Sequence, residues 1–220
     1  MASFQVHMSV GIGASCSLAT YFAMQYSSQI STYGSQASAV LLTLAFGLLG
    51  TLLPDVDSDT GLPVNLVFSC LAYLLTGLFA WQTFGRIPWI EWFGYSVGVW
   101  ILVKFMIKKV FCKMTTHRGL HHSVPMALFW SGLVAFCCPV TLGPIRWFVG
   151  IACLVGFLIH LVLDEICSVN LIGVQVRRSF GSAFKVFPAP FWLGLFIYLL
   201  AGGFIWQTVY ETPPPWVRIE

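Results

Sequence analysis

Seven long apolar segments run along this chain of 220 residues and limit the folds it can adopt. They cover 8–26, 38–53, 64–84, 89–110, 124–142, 146–167 and 189–209. The first is rich in Ser, Thr and Gly and the second is short, yet the set approaches the roughly 20 residues that a helix needs to cross a bilayer. Charged residues make up only 9% of the chain, against roughly 25% in soluble domains. The sequence therefore predicts an all-α, polytopic transmembrane helical bundle with about seven spans (six to seven).

Prolines stand at the ends of these segments, where the missing N–H of proline costs least: Pro54, Pro63, Pro88, Pro125, Pro144 and Pro188. No repeat, low-complexity tract or change of composition divides the chain, so we expect a single integral membrane domain over 1–220. The first residues lack the basic region and cleavage site of a signal peptide, so we expect the first helix to remain in the mature protein. The seven cysteines form no C-x-x-C pair and mostly lie in apolar stretches, which predicts free thiols.

Basic residues orient the predicted bundle in the membrane. With seven spans, the N-terminus and the loops 54–63, 111–123 and 168–188 lie on one side. That side carries Lys108, Lys109, Lys113, Arg118, Arg177, Arg178 and Lys185, whereas the other carries Arg86, Arg146 and Arg218. Lys104, inside the fourth segment, lies one turn from the basic side and can snorkel there. Since cytoplasmic loops carry an excess of Lys and Arg, we expect the basic side to be cytoplasmic.

The histidines and aspartates of the chain gather on this same side. The residues concerned are His7, His117, His121, His122, Asp55, Asp57, Asp59 and Asp164, with His160 two turns from the end of the sixth segment. The span positions come from hydropathy and proline alone, yet they bring these imidazoles and carboxylates to one face. Both groups are metal ligands, so the convergence predicts a metal site at one membrane face.

His160 and Asp164 form an H-x-x-x-D pair within the apolar run GFLIHLVLDEIC. A spacing of four places both side chains on one face of a helix. A carboxylate near a helix centre costs about 2.5–3.5 kcal/mol to insert into a membrane, so it needs a partner. The pair is either an interhelical hydrogen-bonding pair or two ligands of one metal. Glu165 points about 100° away from Asp164 around the helix and is a candidate base.

Two loop segments add further polar residues. The segment MTTHRGLHHSV holds three histidines in six residues beside Arg118; neutral imidazole binds metal, and the alternative is a solvated interfacial loop. The segment LLPDVDSDTG holds three aspartates at alternating positions. Their mutual repulsion is unfavourable unless a bound cation compensates their charge. Its glycine position and missing glutamate exclude an EF-hand calcium loop, and the alternative is a solvated acidic loop.

The segment VQVRRSFGSAFKVFPAP carries the cations between the last two spans, Arg177, Arg178 and Lys185. Such a loop commonly contacts anionic lipid head groups. Alternatively, these side chains clamp a phosphate, for which a guanidinium fork is well suited.

Four blocks of this sequence resemble the YdjM-like family of membrane-bound metal-dependent hydrolases. They are His7, LLPDVDSD, HRGLHHS and HLVLDEICS, in the family's order. The family commonly has Thr where this chain has His121, so the resemblance implies His117 and His122 as ligands and leaves the role of His121 open. The family is also distantly similar to zinc-dependent phospholipase C and single-strand nucleases, which implies a phosphoester substrate.

The leading hypothesis is a metal-dependent hydrolase of a lipid or lipid-linked phosphoester, in a bacterial inner membrane with its site on the cytoplasmic side. Two or more divalent ions, zinc first and manganese or magnesium as alternatives, would be held by His7, Asp55, Asp57, His117, His122, His160 and Asp164. Arg118 would balance phosphoryl charge, together with the phosphate-binding candidates Arg177, Arg178 and Lys185. His121, Asp59 or Glu165 would handle the proton.

Two rival functions remain open. A divalent-metal or proton-coupled transporter would need ionisable residues across the whole bilayer, whereas here they collect on one side. A non-enzymatic lipid- or partner-binding protein with a structural metal would have a coordinatively closed site. Membrane lipid is the expected partner, and the modest net charge of +3 gives no indication of nucleic-acid binding.

Overall fold

The computed structural model describes residues 3–57, 61–114, 120–170, 175–176, 185–187 and 190–217. Over these residues the helices are α1 (Phe4–Gln25), α2 (Ser27–Tyr33), α3 (Gln36–Leu52), α4 (Leu62–Thr83), α5 (Trp89–Ile101), α6 (Lys108–Met114), α7 (Val124–Cys137), α8 (Ile145–Ile166) and α9 (Phe191–Glu211). A 3-10 turn, Leu53–Asp57, follows α3, another covers Val140–Leu142, and a π-helical turn, Leu102–Ile107, joins α5 to α6. Two short strands, β1 (Val169–Asn170) and β2 (Gln175–Val176), pair antiparallel with Val169 opposite Val176.

Helices cover each predicted apolar segment, so the prediction of a helical membrane protein is confirmed. Within the described part of the chain, five helical stretches are long and apolar enough to cross a bilayer: Gln36–Val56, Leu62–Thr83, Trp89–Cys112, Ile145–Ile166 and Phe191–Glu211. Helix α7 is apolar but only 14 residues long, and α1 carries several serines. The chain is an integral membrane protein, and the span number of seven stays a prediction.

The chain forms two compact units, residues 1–54 with 118–220, and residues 55–117. The first contains α1, α2, α3, α7, α8 and α9, and the second contains α4, α5 and α6. The expectation of one domain over 1–220 stays a prediction. All seven cysteines are free thiols, as the sequence predicts.

Small residues bring α1, α3 and α8 of the first unit close together. The buried stripe of α1 is His7, Gly11, Ser15, Ala19 and Phe22, at spacings of three and four. A Cβ on Gly50 of α3 would overlap the carbonyl oxygen of Cys153 in α8, and one on Gly156 of α8 would overlap that of Gly47. Membrane helices associate by such backbone approach because lipid removes the hydrophobic drive between them.

Arg146 ties three helices together at the start of α8. Its side chain is fully buried, its Nε donates to the carbonyl of Ala135 at 3.1 Å and its Nη2 to that of Phe136 at 3.1 Å. Its Nη1 donates to Glu211 at 2.9 Å and to the hydroxyl of Thr212 at 3.1 Å. The carbonyls of Ala135 and Phe136 lie at the negatively polarised C-terminal end of α7, so the two charge-assisted bonds offset part of the cost of burying the guanidinium and hold the start of α8 against α7.

The second unit pairs α4 with α5 through aromatic side chains. The indole N–H of Trp92 donates to the carbonyl of Ala80 at 3.0 Å. The ammonium of Lys104, expected to snorkel, lies 4.7 Å from the centre of the Trp100 ring. A cation over an aromatic face is stabilised by the ring quadrupole, which offsets part of the cost of this charge near apolar surroundings.

Candidate metal centre

Helix α8 contributes two side chains to a buried polar cluster. His160 and Asp164 are each 1% exposed and both belong to the buried face of this helix. The four-residue spacing places them one above the other, as the sequence predicts. The carboxylate therefore lies inside the first unit, where it needs a compensating partner.

Helix α1 brings His7 to the same place. His7 is 3% exposed because it begins the stripe of small residues that packs α1 against α3 and α8. Its Nε2 lies 3.2 Å from Oδ1 of Asp164. Its ring stacks on that of His160, with the centroids 3.9 Å apart and the planes 9° from parallel.

His122 reaches the cluster from the residues that precede α7. It is fully buried, and its Nε2 lies 3.9 Å from Oδ2 of Asp164. The rings of His122 and His160 meet edge to face, 5.7 Å between centroids. A backbone bridge holds this segment, since the N–H of Val124 donates to the carbonyl of Lys185 at 2.9 Å. The two oxygens of Asp164 thus face different histidines.

The end of α3 orients His160. Nδ1 of His160 lies 2.8 Å from the carbonyl oxygen of Thr51. A carbonyl only accepts, so Nδ1 carries the proton, and in a neutral ring Nε2 is then the nitrogen that can bind a metal. Thr51 belongs to the last turn of α3, whose carbonyls lose their helical donors, and Pro54 beyond it has no N–H to offer. Such a bond from the outer nitrogen to a carbonyl is the usual support of a metal-bound histidine.

The donor atoms are close enough to share a cation. One ligand atom each from His7, His160 and Asp164 lies within 4.8 Å of the others. Two ligands of a tetrahedral zinc ion lie about 3.3 Å apart, close to the 3.2 Å between His7 and Asp164. The buried Nδ1 of His7 has no hydrogen-bond partner among the described residues, so it is a further nitrogen that could serve as a ligand.

The other predicted site residues are placed as follows. Asp55 and Asp57 lie in the 3-10 turn after α3, and the side chain of Asp57 lies outside the described part of the chain. His121 precedes His122 and is half-buried, as is Glu165 beside Asp164. Lys185 is also half-buried and joins its backbone to the start of α7. Asp59, His117, Arg118, Arg177 and Arg178 lie outside the described residues.

A family model described as YdjM inner membrane protein matches residues 1–217. The chain belongs to the YdjM family. No curated protein and no solved structure matches it. The assignment of metal ligands in this YdjM-family protein therefore rests on the geometry of the cluster.

Sequence reasoning missed one contributor to the cluster, the carbonyl of Thr51, which has no side-chain signature, although Pro54 indicates that α3 ends nearby. His7 is among the predicted ligands, and Gly11, Ser15 and Ala19 follow it at spacings of four. That small-residue stripe is the signal that places His7 on a packed face.

Proposed function

We propose that this YdjM-family protein is a metal-dependent hydrolase that cleaves a phosphoester of a lipid or lipid-linked substrate. The observation that carries the proposal is the buried cluster of His7, His122, His160 and Asp164, delivered by α1, α8 and the start of α7. Three imidazoles and a carboxylate match the donor preference of zinc. Manganese or magnesium would be the alternatives.

Asp164 stands between two histidines of the cluster. Its Oδ1 is nearest His7 and its Oδ2 is nearest His122, at 3.2 Å and 3.9 Å. Zinc would be held by this carboxylate together with the histidines around it. We propose two or more ions because the predicted ligands exceed the four that one tetrahedral zinc takes.

A divalent ion held here would polarise a phosphoryl oxygen and lower the pKa of bound water toward neutrality. The chain's own side chains would bind and orient the substrate. Lys185 follows the loop cations Arg177 and Arg178 and joins the segment beside His122 through the α7 bridge. Together with Arg118, these cations would hold the phosphate oxygens and balance their charge.

A proton must move to the leaving oxygen or from the attacking water. Two half-buried candidates adjoin the ligands in sequence, His121 beside His122 and Glu165 beside Asp164. Their half-burial leaves them partly accessible, whereas the ligands are almost fully enclosed. Asp59 is a third candidate, from the sequence alone. We assign the proton transfer to this set.

We further propose that seven spans place the cluster at the cytoplasmic face of the inner membrane. In the first unit, the N-terminus of α1, the C-terminus of α3, the N-terminus of α7 and the C-terminus of α8 meet at the cluster. This alternation of helix ends is what an up-and-down path through the membrane requires. The excess of Lys and Arg in the same loops orients that end inward.

Phosphate release from phosphatidic acid and polyprenyl phosphates tests the proposal. We expect release by the zinc- or manganese-loaded protein and a loss of at least about 100-fold in a His160→Ala, Asp164→Ala double variant. Glu91→Gln, an exposed carboxylate of α5, is the control and should keep wild-type activity. Absence of release with every metal, or an unchanged double variant, would contradict the hydrolase function.

A further inference from the structure

We propose that a groove between α1 and α8 holds a hydrocarbon chain of the lipid substrate, an inference that rests on the proposed hydrolase function. The groove has a volume of about 320 Å³. Its lining is entirely aliphatic: Val10, Val155, Leu158, Ile159, Val162 and Leu163. The substrate class is therefore a phosphoester that carries an acyl or prenyl chain and enters sideways from the bilayer.

The groove has the length of one membrane leaflet. Helix α8 has 22 residues and is therefore roughly 33 Å long, about the thickness of the hydrocarbon core. Val155 lies at its middle and Leu163 in its last turn. The lining thus extends roughly 12 Å along α8, from the middle of the helix to its C-terminal end, which compares with a hydrocarbon half-thickness of about 15 Å.

The end of the groove coincides with the metal cluster. Leu163 directly precedes Asp164, and Val10 lies one turn of α1 from His7. A lipid in this leaflet runs its chains along the membrane normal, and spanning helices lie on average about 20° from that normal. A chain lying in the groove would therefore carry its phosphate to the level of His7 and Asp164.

The exposure of the lining identifies the occupant as hydrocarbon. Val10 and Val162 are 42% and 43% exposed, and α8 is one of the helices able to cross the bilayer. A concave aliphatic surface in the hydrocarbon layer offers no hydrogen-bonding group to a polar ligand. Each methylene that packs there instead of in disordered lipid gains dispersion contacts with the groove walls.

Photolabelling in nanodiscs of phosphatidylethanolamine and phosphatidylglycerol tests the groove. The probe is phosphatidic acid with a diazirine at the middle of one acyl chain. We expect labelling of the groove residues of α8 to exceed labelling around Val97, an exposed valine of α5, by about tenfold. Excess dioleoyl phosphatidic acid should displace the probe, whereas dioleoylglycerol, which lacks the phosphate, should not.

Two matched variants locate the binding. Val155→Trp fills the deep end of the groove away from the cluster and should lower labelling about tenfold. Val97→Trp, the same change on α5, should leave labelling unchanged. Val162→Phe, near the end of the groove beside the cluster, provides a second blocked groove if Val155→Trp folds poorly. The metal content of every variant should equal that of the wild type.

The outcomes separate the groove from the hydrolase function. Equal labelling of α5 and α8, equal competition by dioleoylglycerol, or unchanged labelling in both blocked variants would show ordinary boundary lipid and overturn the groove. If the protein still binds metal and releases phosphate, the proposed function survives that result. If it does neither, the proposed function fails and this inference fails with it.

Discussion

The substitution Asp164→Asn is expected to remove the bound metal from the purified protein. Asn keeps the size of Asp but has no negative charge and only one side-chain oxygen. It therefore cannot present an oxygen toward both His7 and His122. Since changes in supporting residues alone cost 10–100-fold in metal affinity, loss of this ligand should cost at least about 100-fold. Elemental analysis after dialysis against a weak chelator gives the ratio of metal to protein.

Glu165→Gln is the matched control for this measurement. Glu165 is the next residue of the same helix and is half-buried, but it lies on a neighbouring face, so its variant should keep the metal. A stoichiometric metal content in Asp164→Asn would contradict the ligand role of Asp164.

The thermal stability of the metal-free Asp164→Asn variant gives a second prediction. A buried carboxylate costs free energy that a neutral amide does not. If Asp164 serves metal binding, the metal-free Asp164→Asn protein should unfold at a temperature no lower than the metal-free wild type. A clear fall in that temperature would instead favour a purely structural hydrogen-bonding pair with His7.

The substitution Gly156→Ala is expected to separate α3 from α8. The added Cβ would overlap the carbonyl oxygen of Gly47 and lie 3.0 Å from Oγ1 of Thr51. Backbone cannot move aside as a side chain does, so the cost should reach the upper part of the range for overpacking, about 3 kcal/mol. Since Thr51 orients His160, the metal affinity should fall together with the unfolding temperature.

Gly203→Ala tests whether this cost is specific to the packed face. A Cβ on Gly203 of α9 meets no described atom within 4 Å. Because Ala favours helix by about 1 kcal/mol over Gly, the control should be as stable as the wild type or slightly more stable. Equal stability of the two alanine variants would rule out the close approach of α3 and α8.

Much of this arrangement follows from sequence because bilayers impose strong rules. The apolar segments and their prolines predict the helices, and the four-residue spacing predicts that His160 and Asp164 share a face. Which histidine meets which oxygen depends on how α1, α3 and α8 pack. That packing depends on side-chain volumes at facing positions such as Gly50 and Cys153. The apolar periodicity of each helix does not show which residues of two helices face each other.

Arg146 illustrates the limit of charge counting. The sequence predicts a loop cation on the non-cytoplasmic side. In the structure Arg146 is instead completely buried against α7 and α9. An arginine beside the first turn of an apolar helix is compatible with either place. Its partners, two backbone carbonyls and Glu211 some 65 residues away, have no local sequence pattern.

X-ray absorption at the edge of the bound metal tests the central claim most directly. If His7, His122, His160 and Asp164 hold the ion, the spectrum will show nitrogen and oxygen neighbours at about 2.0–2.1 Å with the outer scattering of imidazole. The seven free cysteines are the competing ligands. A sulfur shell at about 2.3 Å, or purified protein without metal, would contradict the account.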